Sequence, residues 1–379
     1  MNCRHWRRQI NTESKPGKRK IGRLITGADR RRVSGYLKNR LRTWLIRKEF
    51  KESKSRLKNL WRISLEHIYA VTSPIALISQ IQHSGGLLLS QLFDGHPEVH
   101  AHPDELMIGY PKKYVWPRID LDDSPKRWFG ILFEDKVIEH FREGYNKDKK
   151  DNQSFPFIFF PSLQRKIFLK YIDSVQSITL RHVFDAYMSS YFGAWLNNQN
   201  YADRKKFITA FTPGLSTTKE NMGLFFEVYP DGRLISLVRD PKNWYPCARR
   251  NKRKIKKDKC TDIRIALGQW KESTQATLWN KKRYGERVCI IRFEDLINDA
   301  ESVMHYLAEF LGIGFDRILL TPTFNKSPIT ARTSFETKEP GDGKSTLAGH
   351  EILSAQELTI IAELTQKVYQ QALGETVMF

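Results

Sequence analysis

Apolar positions along this chain follow two periods, and the two alternate over most of its length. Ile75-Ala-Leu-Ile-Ser-Gln-Ile81 is short and apolar, as a strand buried on both faces would be. A small-residue turn, Gln82-His-Ser-Gly-Gly86, comes next. Leu88, Leu89, Leu92 and Phe93 then recur at helical spacing, with Gly95 placed to end the helix. Glu98–His102 reads as a second strand, with Asp104 and Glu105 at its C-terminal end. Further strands are predicted over Phe207–Phe211, Arg233–Val238 and 288–292, and helices near 218–228 and 263–283. A last helix turns Val303, Leu307, Phe310 and Leu311 inward, and Asn298-Asp-Ala-Glu301 reads as its capping box.

Strands alternating with helices predict an α/β fold: a central parallel sheet with helices on both faces. In such sheets ligands gather beyond the carboxyl ends of the strands, where the Ser84 loop, Glu105 and Arg239 would fall. Residues 109–200 interrupt the alternation as a helical insertion, with a Lys/Asp/Asn-rich loop at 146–153. Within it Phe184, Tyr187, Tyr191, Phe192 and Trp195 form an aromatic stripe at helical spacing, which predicts core packing.

The first 70 residues follow other rules. Residues 1–32 mix Arg/Lys clusters with Gly, Pro and Ser without periodicity, which predicts a disordered basic leader. Over 33–70, Leu37, Leu41, Trp44 and Leu45, then Leu57, Leu60, Trp61 and Leu65, predict amphipathic helices with a basic face. Net charge is +21, and residues 1–62 hold 21 Lys/Arg against 4 Asp/Glu, so most of it lies in this segment. A cationic face of this kind packs on the domain and leaves its charge solvated, or touches an anionic membrane surface. Basic charge alone predicts no specific nucleic-acid binding.

No apolar run has the length of a signal h-region or of a membrane span, which argues against a membrane-anchored chain. Cys3, Cys247, Cys260 and Cys289 fit neither a disulfide framework nor a zinc pattern, so a reduced, cytoplasmic setting is expected. Cys289 falls in a predicted strand as a core residue. Residues 249–259 hold eight Lys/Arg in eleven positions, a solvated face or an attraction for anions.

The chemistry concentrates in the turn at 83–88. Glycines allow an anion close to the backbone, Ser84 adds a hydroxyl, and the helix N-terminus offers unpaired N–H groups. It is not a Walker loop, which needs G-x-x-x-x-G-K-[ST]. Gly343-Lys344-Ser345 imitates one, but Lys338 stands at the first glycine's position and no strand precedes it. Gly341–Ser345 is therefore read as a polar loop.

Downstream, Arg239-Asp240-Pro241 follows the 233–238 strand, with Cys247 eight residues after the arginine. Phe293-Glu-Asp-Leu296 follows the 288–292 strand, and Phe310-Leu-Gly312 ends the next helix. In order and spacing these segments, with the first loop, resemble the sulfotransferases that use 3′-phosphoadenosine-5′-phosphosulfate (PAPS), over roughly residues 74–325. That pattern runs strand, Arg/Lys-Ser-Gly-Thr-Thr-Leu-Leu and His-Pro; then Arg-Asp-Pro with a serine eight residues after the arginine; then Tyr-Glu-Asp-Leu and Phe-Leu-Gly.

The resemblance implies a P-loop-like fold, PAPS as co-substrate without a metal, and an acceptor hydroxyl or amine, with 109–200 as the acceptor-binding region. His83, Ser84, Gly85, Gly86, Leu87 and Leu88 would cradle the donor. Arg239 and Cys247 would hold its 3′-phosphate, His83 would be the cation at the leaving oxygen, and Glu105 the general base. Asp104 and His102 remain alternatives for the base. The chain departs from the pattern at four places: His83 replaces Arg/Lys, Gly86 and Leu87 replace hydroxyl residues, and Cys247 replaces serine. These departures admit a second reading, a catalytically weak nucleotide- or anion-binding protein on the same fold. The missing Walker lysine disfavours a third, a kinase-like phosphotransferase.

Overall fold

The computed structural model describes residues 27–109, 115–145, 155–201, 204–255, 262–330, 335–336, 346–347 and 353–377. The chain forms two compact units, Met1–Ile63 and Ser64–Phe379. Helix α1 (Gly27–Glu66) accounts for the described part of the first. It corrects the expectation of separate helices over 33–70: one helix runs through, and it begins inside the segment expected to be disordered. The physical reason is that Arg47 to Arg56, between the two apolar stripes, contains no glycine or proline to break it. Trp44, Leu45, Leu60 and Ile63 on this helix are about half exposed.

In the second unit the sheet contains β1 (Ile75–Ile78), β2 (Val99–Glu105), β3 (Phe207–Phe211), β4 (Arg233–Val238) and β5 (Val288–Arg292). Their order is β2-β3-β1-β4-β5. Every pairing is parallel, so all five carboxyl ends lie along one edge. The central strand β1 is fully buried, which its unbroken apolar run requires.

One layer packs Ala76, Ile78, Ile235, Leu237 and Ile291 against helices α2 (Gly86–Phe93) and the later Ala300–Leu311. A second core joins Val238 and Ile290 to Trp244, Trp270 and Tyr369. The helices that carry these last three are Pro241–Ile255, Ile263–Tyr284 and Ala355–Leu373. The sheet is thus covered on both faces. Cys289 is 2% exposed in β5, and burial pushes its thiol up to about 12. The N-cap of the 300–311 helix is Asp299, which accepts from Ser302 N at 3.1 Å. This corrects the expected cap by one residue, because Asn298 is still helical, closing the short helix Phe293–Asn298.

The insertion supplies α3 (Pro125–Leu132), α4 (Lys136–Glu143), α5 (Pro161–Asp173) and α6 (Leu180–Ala194). Phe184, Tyr187, Tyr191, Phe192 and Trp195 are all buried, with Phe184 stacked 5.0 Å from Trp116. The stripe is core. The 146–153 loop, Gly341–Ser345 and most of the 249–259 basic run lie outside the described residues or side chains. At the near end of that run, Arg249 pairs with Glu357 at 2.5 Å.

Candidate active site

The turn from β1 into α2 is pinned before it reaches its glycines. Ser79 N donates to Ile235 O, Gly214 N to Gln80 O, and Ile81 N to Ser273 Oγ. Trp244 Nε1 donates to Gln82 O at 2.8 Å. His83 then adopts φ 68°, a conformation that a non-glycine residue holds only when its surroundings enforce it. Gly85 has φ 95° and precedes the first turn of α2, which carries no acidic residue to occupy its N–H groups. A Cβ on Gly85 would lie 2.2 Å from the Phe293 ring, so glycine is required there by conformation and by space. Ser84 Oγ is buried and has no hydrogen-bond partner.

Arg239 stands at the carboxyl end of β4 and is 2% exposed. Its Nη1 donates to His83 O at 2.7 Å, and its Nη2 to Cys247 Sγ at 3.2 Å. Its guanidinium lies 4.9 Å from the centre of the Phe293 ring. These bonds orient the guanidinium. The turn and the arginine, far apart in sequence, therefore form one cationic, donor-rich corner. Glu294 ties the remaining motifs to it, accepting from Asp240 N at 3.1 Å and from Asn243 Nδ2 at 3.0 Å. Burial raises the Glu294 pKa, and those same donors act against the rise.

At the other end of the sheet edge, β2 leaves regular pairing. Ala101 pairs with Thr209 and Glu105 with Phe211, so β2 carries two extra residues over that interval. The irregularity turns His102 and Asp104 into the insertion, where both are buried. Glu134, itself 1% exposed, accepts from His102 Nε2 at 3.2 Å, Tyr187 OH at 2.9 Å and Met107 N at 2.8 Å. Burial alone would lower the His102 pKa, but the Glu134 carboxylate and the Asp104 carbonyl outweigh it and raise the value. His140 Nε2 lies 3.1 Å from Asp104 Oδ2. Asp104 also accepts from Glu105 N at 2.9 Å. Of the three carboxyl-or-imidazole alternatives, Glu105 alone is partly exposed.

A cavity of about 270 Å³ opens beside His83, between Pro213 and Thr217 after β3, Trp244, and Glu272 on the 263–284 helix. A second, of about 450 Å³, shares Thr217 and Glu272 and reaches Trp279. Among the described residues no group of three or more His, Cys, Asp or Glu could hold a metal ion. None of the described helices is long and apolar enough to cross a membrane. The sequence motifs placed the turn, Arg239 and Cys247 correctly beside one another. They gave no sign of Gln80, Glu134 or Trp244, whose roles arise from long-range contacts. Phe293 lay within a quoted motif, but its packing on Gly85 and Arg239 was not legible.

These residues line the carboxyl edge of a five-stranded parallel α/β sheet. The chain belongs to the Sulfotransferase family, whose pattern matches residues 74–317. No curated protein matches significantly. Among solved structures, the sulfotransferase domain of the Synechococcus PCC 7002 olefin synthase is 16% identical. That match covers 83% of this chain and 98% of the other, with a TM-score of 0.40. A sulfotransferase from Alicyclobacillus acidocaldarius is 12% identical over 81% of this chain and 98% of its own, at 0.41. A mouse sulfotransferase complexed with PAP is 11% identical, with 82% and 87% covered, at 0.34.

Proposed function

We propose that this chain transfers a sulfuryl group from PAPS to a hydroxyl or amine of an acceptor. The observation that carries the reading is the 2.7 Å bond from Arg239 to the carbonyl of His83, which merges two anion-seeking elements into one corner. The residues fit a phosphate-bearing donor: an orphaned buried hydroxyl at Ser84, helix-terminal N–H groups at 86–88, and a buried guanidinium at Arg239. His83, Ser84, Gly85, Gly86, Leu87 and Leu88 cradle the sulfuryl end, while Arg239 and Cys247 face the 3′-phosphate. No metal is needed for this chemistry.

In the reaction the bond from sulfur to the bridging phosphate oxygen breaks, and the oxygen keeps the electron pair. The acceptor oxygen or nitrogen forms the new bond to sulfur, and its proton passes to Glu105. Protonated His83 and the backbone N–H groups stabilise the charge on the leaving oxygen. The 109–200 insertion takes the acceptor, and its Glu134 holds the segment that carries Glu105 through His102 and Met107 N. The N-terminal unit contributes charge, and peripheral contact with an anionic membrane is tested by sedimentation with anionic vesicles, with and without residues 1–62.

The decisive experiment incubates the protein with labelled PAPS and a cell extract and reads sulfated products by mass spectrometry. Calorimetry with 3′-phosphoadenosine-5′-phosphate (PAP) runs beside it. PAP binding without any labelled product favours the anion-binding reading. Binding of neither PAP nor PAPS ends the proposal.

A further inference from the structure

The sulfotransferase pattern has a hydroxyl residue at position 86, where this chain has glycine. The room for that side chain is not vacant. A Cβ built on Gly86 would lie 2.2 Å from Gln80 Nε2 and 2.3 Å from the Phe211 ring. Gln80 and Phe211 therefore fill the space that the missing side chain would use. Gln80 is 2% exposed, and neither its Nε2 nor its Oε1 has a hydrogen-bond partner. Buried amides are rarely left unpaired, because their desolvation is then uncompensated.

The turn that follows Gln80 carries further donors. Ser84 Oγ is also buried and unpartnered, and the N–H groups opening α2 point from the same turn. All are hydrogen-bond donors, and what they jointly suit is an anionic oxygen. The backbone that carries Gln80 is fixed by Gly214 N at 2.8 Å, so the amide sits on a rigid support.

We propose that Gln80 is a donor-binding residue, giving an Nε2 hydrogen bond to a phosphate or sulfuryl oxygen in place of the hydroxyl absent at position 86. The inference rests on the reading of the 83–88 turn as the donor site. It makes the Gly86 departure a substitution of one donor by another.

The test is calorimetry with PAP on the full chain, beside thermal unfolding of each ligand-free variant. Gln80→Met keeps the volume and removes the donor, and should weaken PAP binding roughly 10–100-fold, the range for a hydrogen bond to a charged group. Its ligand-free melting temperature should hold or rise, because an unpaired amide is gone. Gln80→Glu, nearly isosteric and negative, should weaken binding further. Unchanged PAP affinity in Gln80→Met overturns the proposal, as does an affinity loss matched by a lower melting temperature, which marks a packing role.

The donor reading fails separately, if wild type ignores PAP. Pyrophosphate is then the probe: its loss in Gln80→Met keeps Gln80 as an anion donor. Binding of neither by wild type overturns both.

Discussion

Arg239 Nη2 lies 3.2 Å from Cys247 Sγ, across the start of the 241–255 helix. The arginine follows the last residue of β4, Asp240 and Pro241 open the helix, and about two turns later residue 247 faces back toward the strand end. The spacing of eight is thus a geometric property of strand, cap and helix. Arg239→Ala should weaken PAP binding by roughly 2–4 kcal/mol, the scale for losing a charge-assisted phosphate contact. Cys247→Ser keeps an acceptor for Nη2 and adds a stronger donor, so affinity should hold or rise. Calorimetry reads both, and equal affinity for adenosine 5′-phosphosulfate, which lacks the 3′-phosphate, would remove the role given to Arg239.

Gly85 gives a stability prediction independent of ligand. Alanine there must hold φ 95° and place its Cβ 2.2 Å from the Phe293 ring. Left-handed strain of about 1–2 kcal/mol and overpacking of about 1–3 kcal/mol act together. Gly85→Ala should cost roughly 2–5 kcal/mol in denaturant unfolding. Adding Phe293→Leu should relieve the overpacking part alone. A neutral Gly85→Ala would mean that the turn is not held as described.

Much of this was legible because parallel strands leave a strong local signature. β1, β3, β4 and β5 are short apolar runs bounded by turns, and the proposed donor-binding residues come directly after β1 and β4, where sequence neighbours stay spatial neighbours. The rest depends on contacts between residues far apart. Nothing in Phe133-Glu134-Asp135 shows that Glu134 will meet His102 and Tyr187, because that meeting is made by packing the insertion on β2. The β2 irregularity is equally silent, since a shift of register exists only relative to a partner strand. The single helix over 27–66 carries two apolar stripes with a polar stretch between them, and polarity does not break a helix.

His100 predicts a pH dependence of stability. Burial, with a smaller contribution from Lys205, lowers its pKa to about 3, and its ring stacks 4.6 Å from Phe192. The unfolded chain binds this proton below about pH 6.5, while the folded chain refuses it until about pH 3. Stability is therefore lost as pH falls through that window, by about 1.4 kcal/mol per unit at most. His102, whose pKa is raised, works with the opposite sign: its contribution is full below its ordinary value and fades as pH rises. His100→Phe should flatten the acid side of the stability profile and leave the alkaline side alone. Urea midpoints at pH 7 and pH 4.5 measure this, and an unchanged slope refutes it.

The last prediction joins Glu105 to Glu134. Glu134 receives His102 from before Glu105 and Met107 N from after it, so one buried carboxylate brackets the residue proposed as base. A bracket of this kind acts on the reaction only through the position of Glu105. Glu105→Gln should lower turnover roughly 10²–10⁴-fold with little change in PAP affinity, as expected for a lost general base. Glu134→Gln keeps the shape and loses the charge that holds His102. It should lower turnover less, leave PAP affinity unchanged, and speed amide exchange over residues 102–107 while β4 and β5 stay protected. In the double variant the two losses should not add, because a displaced glutamine costs no more than a well-placed one. Additive losses would give Glu134 a role of its own. Full turnover in Glu105→Gln would move the base to Asp104 or His102, and His102 would then need to release its hold on Glu134 before it could accept a proton.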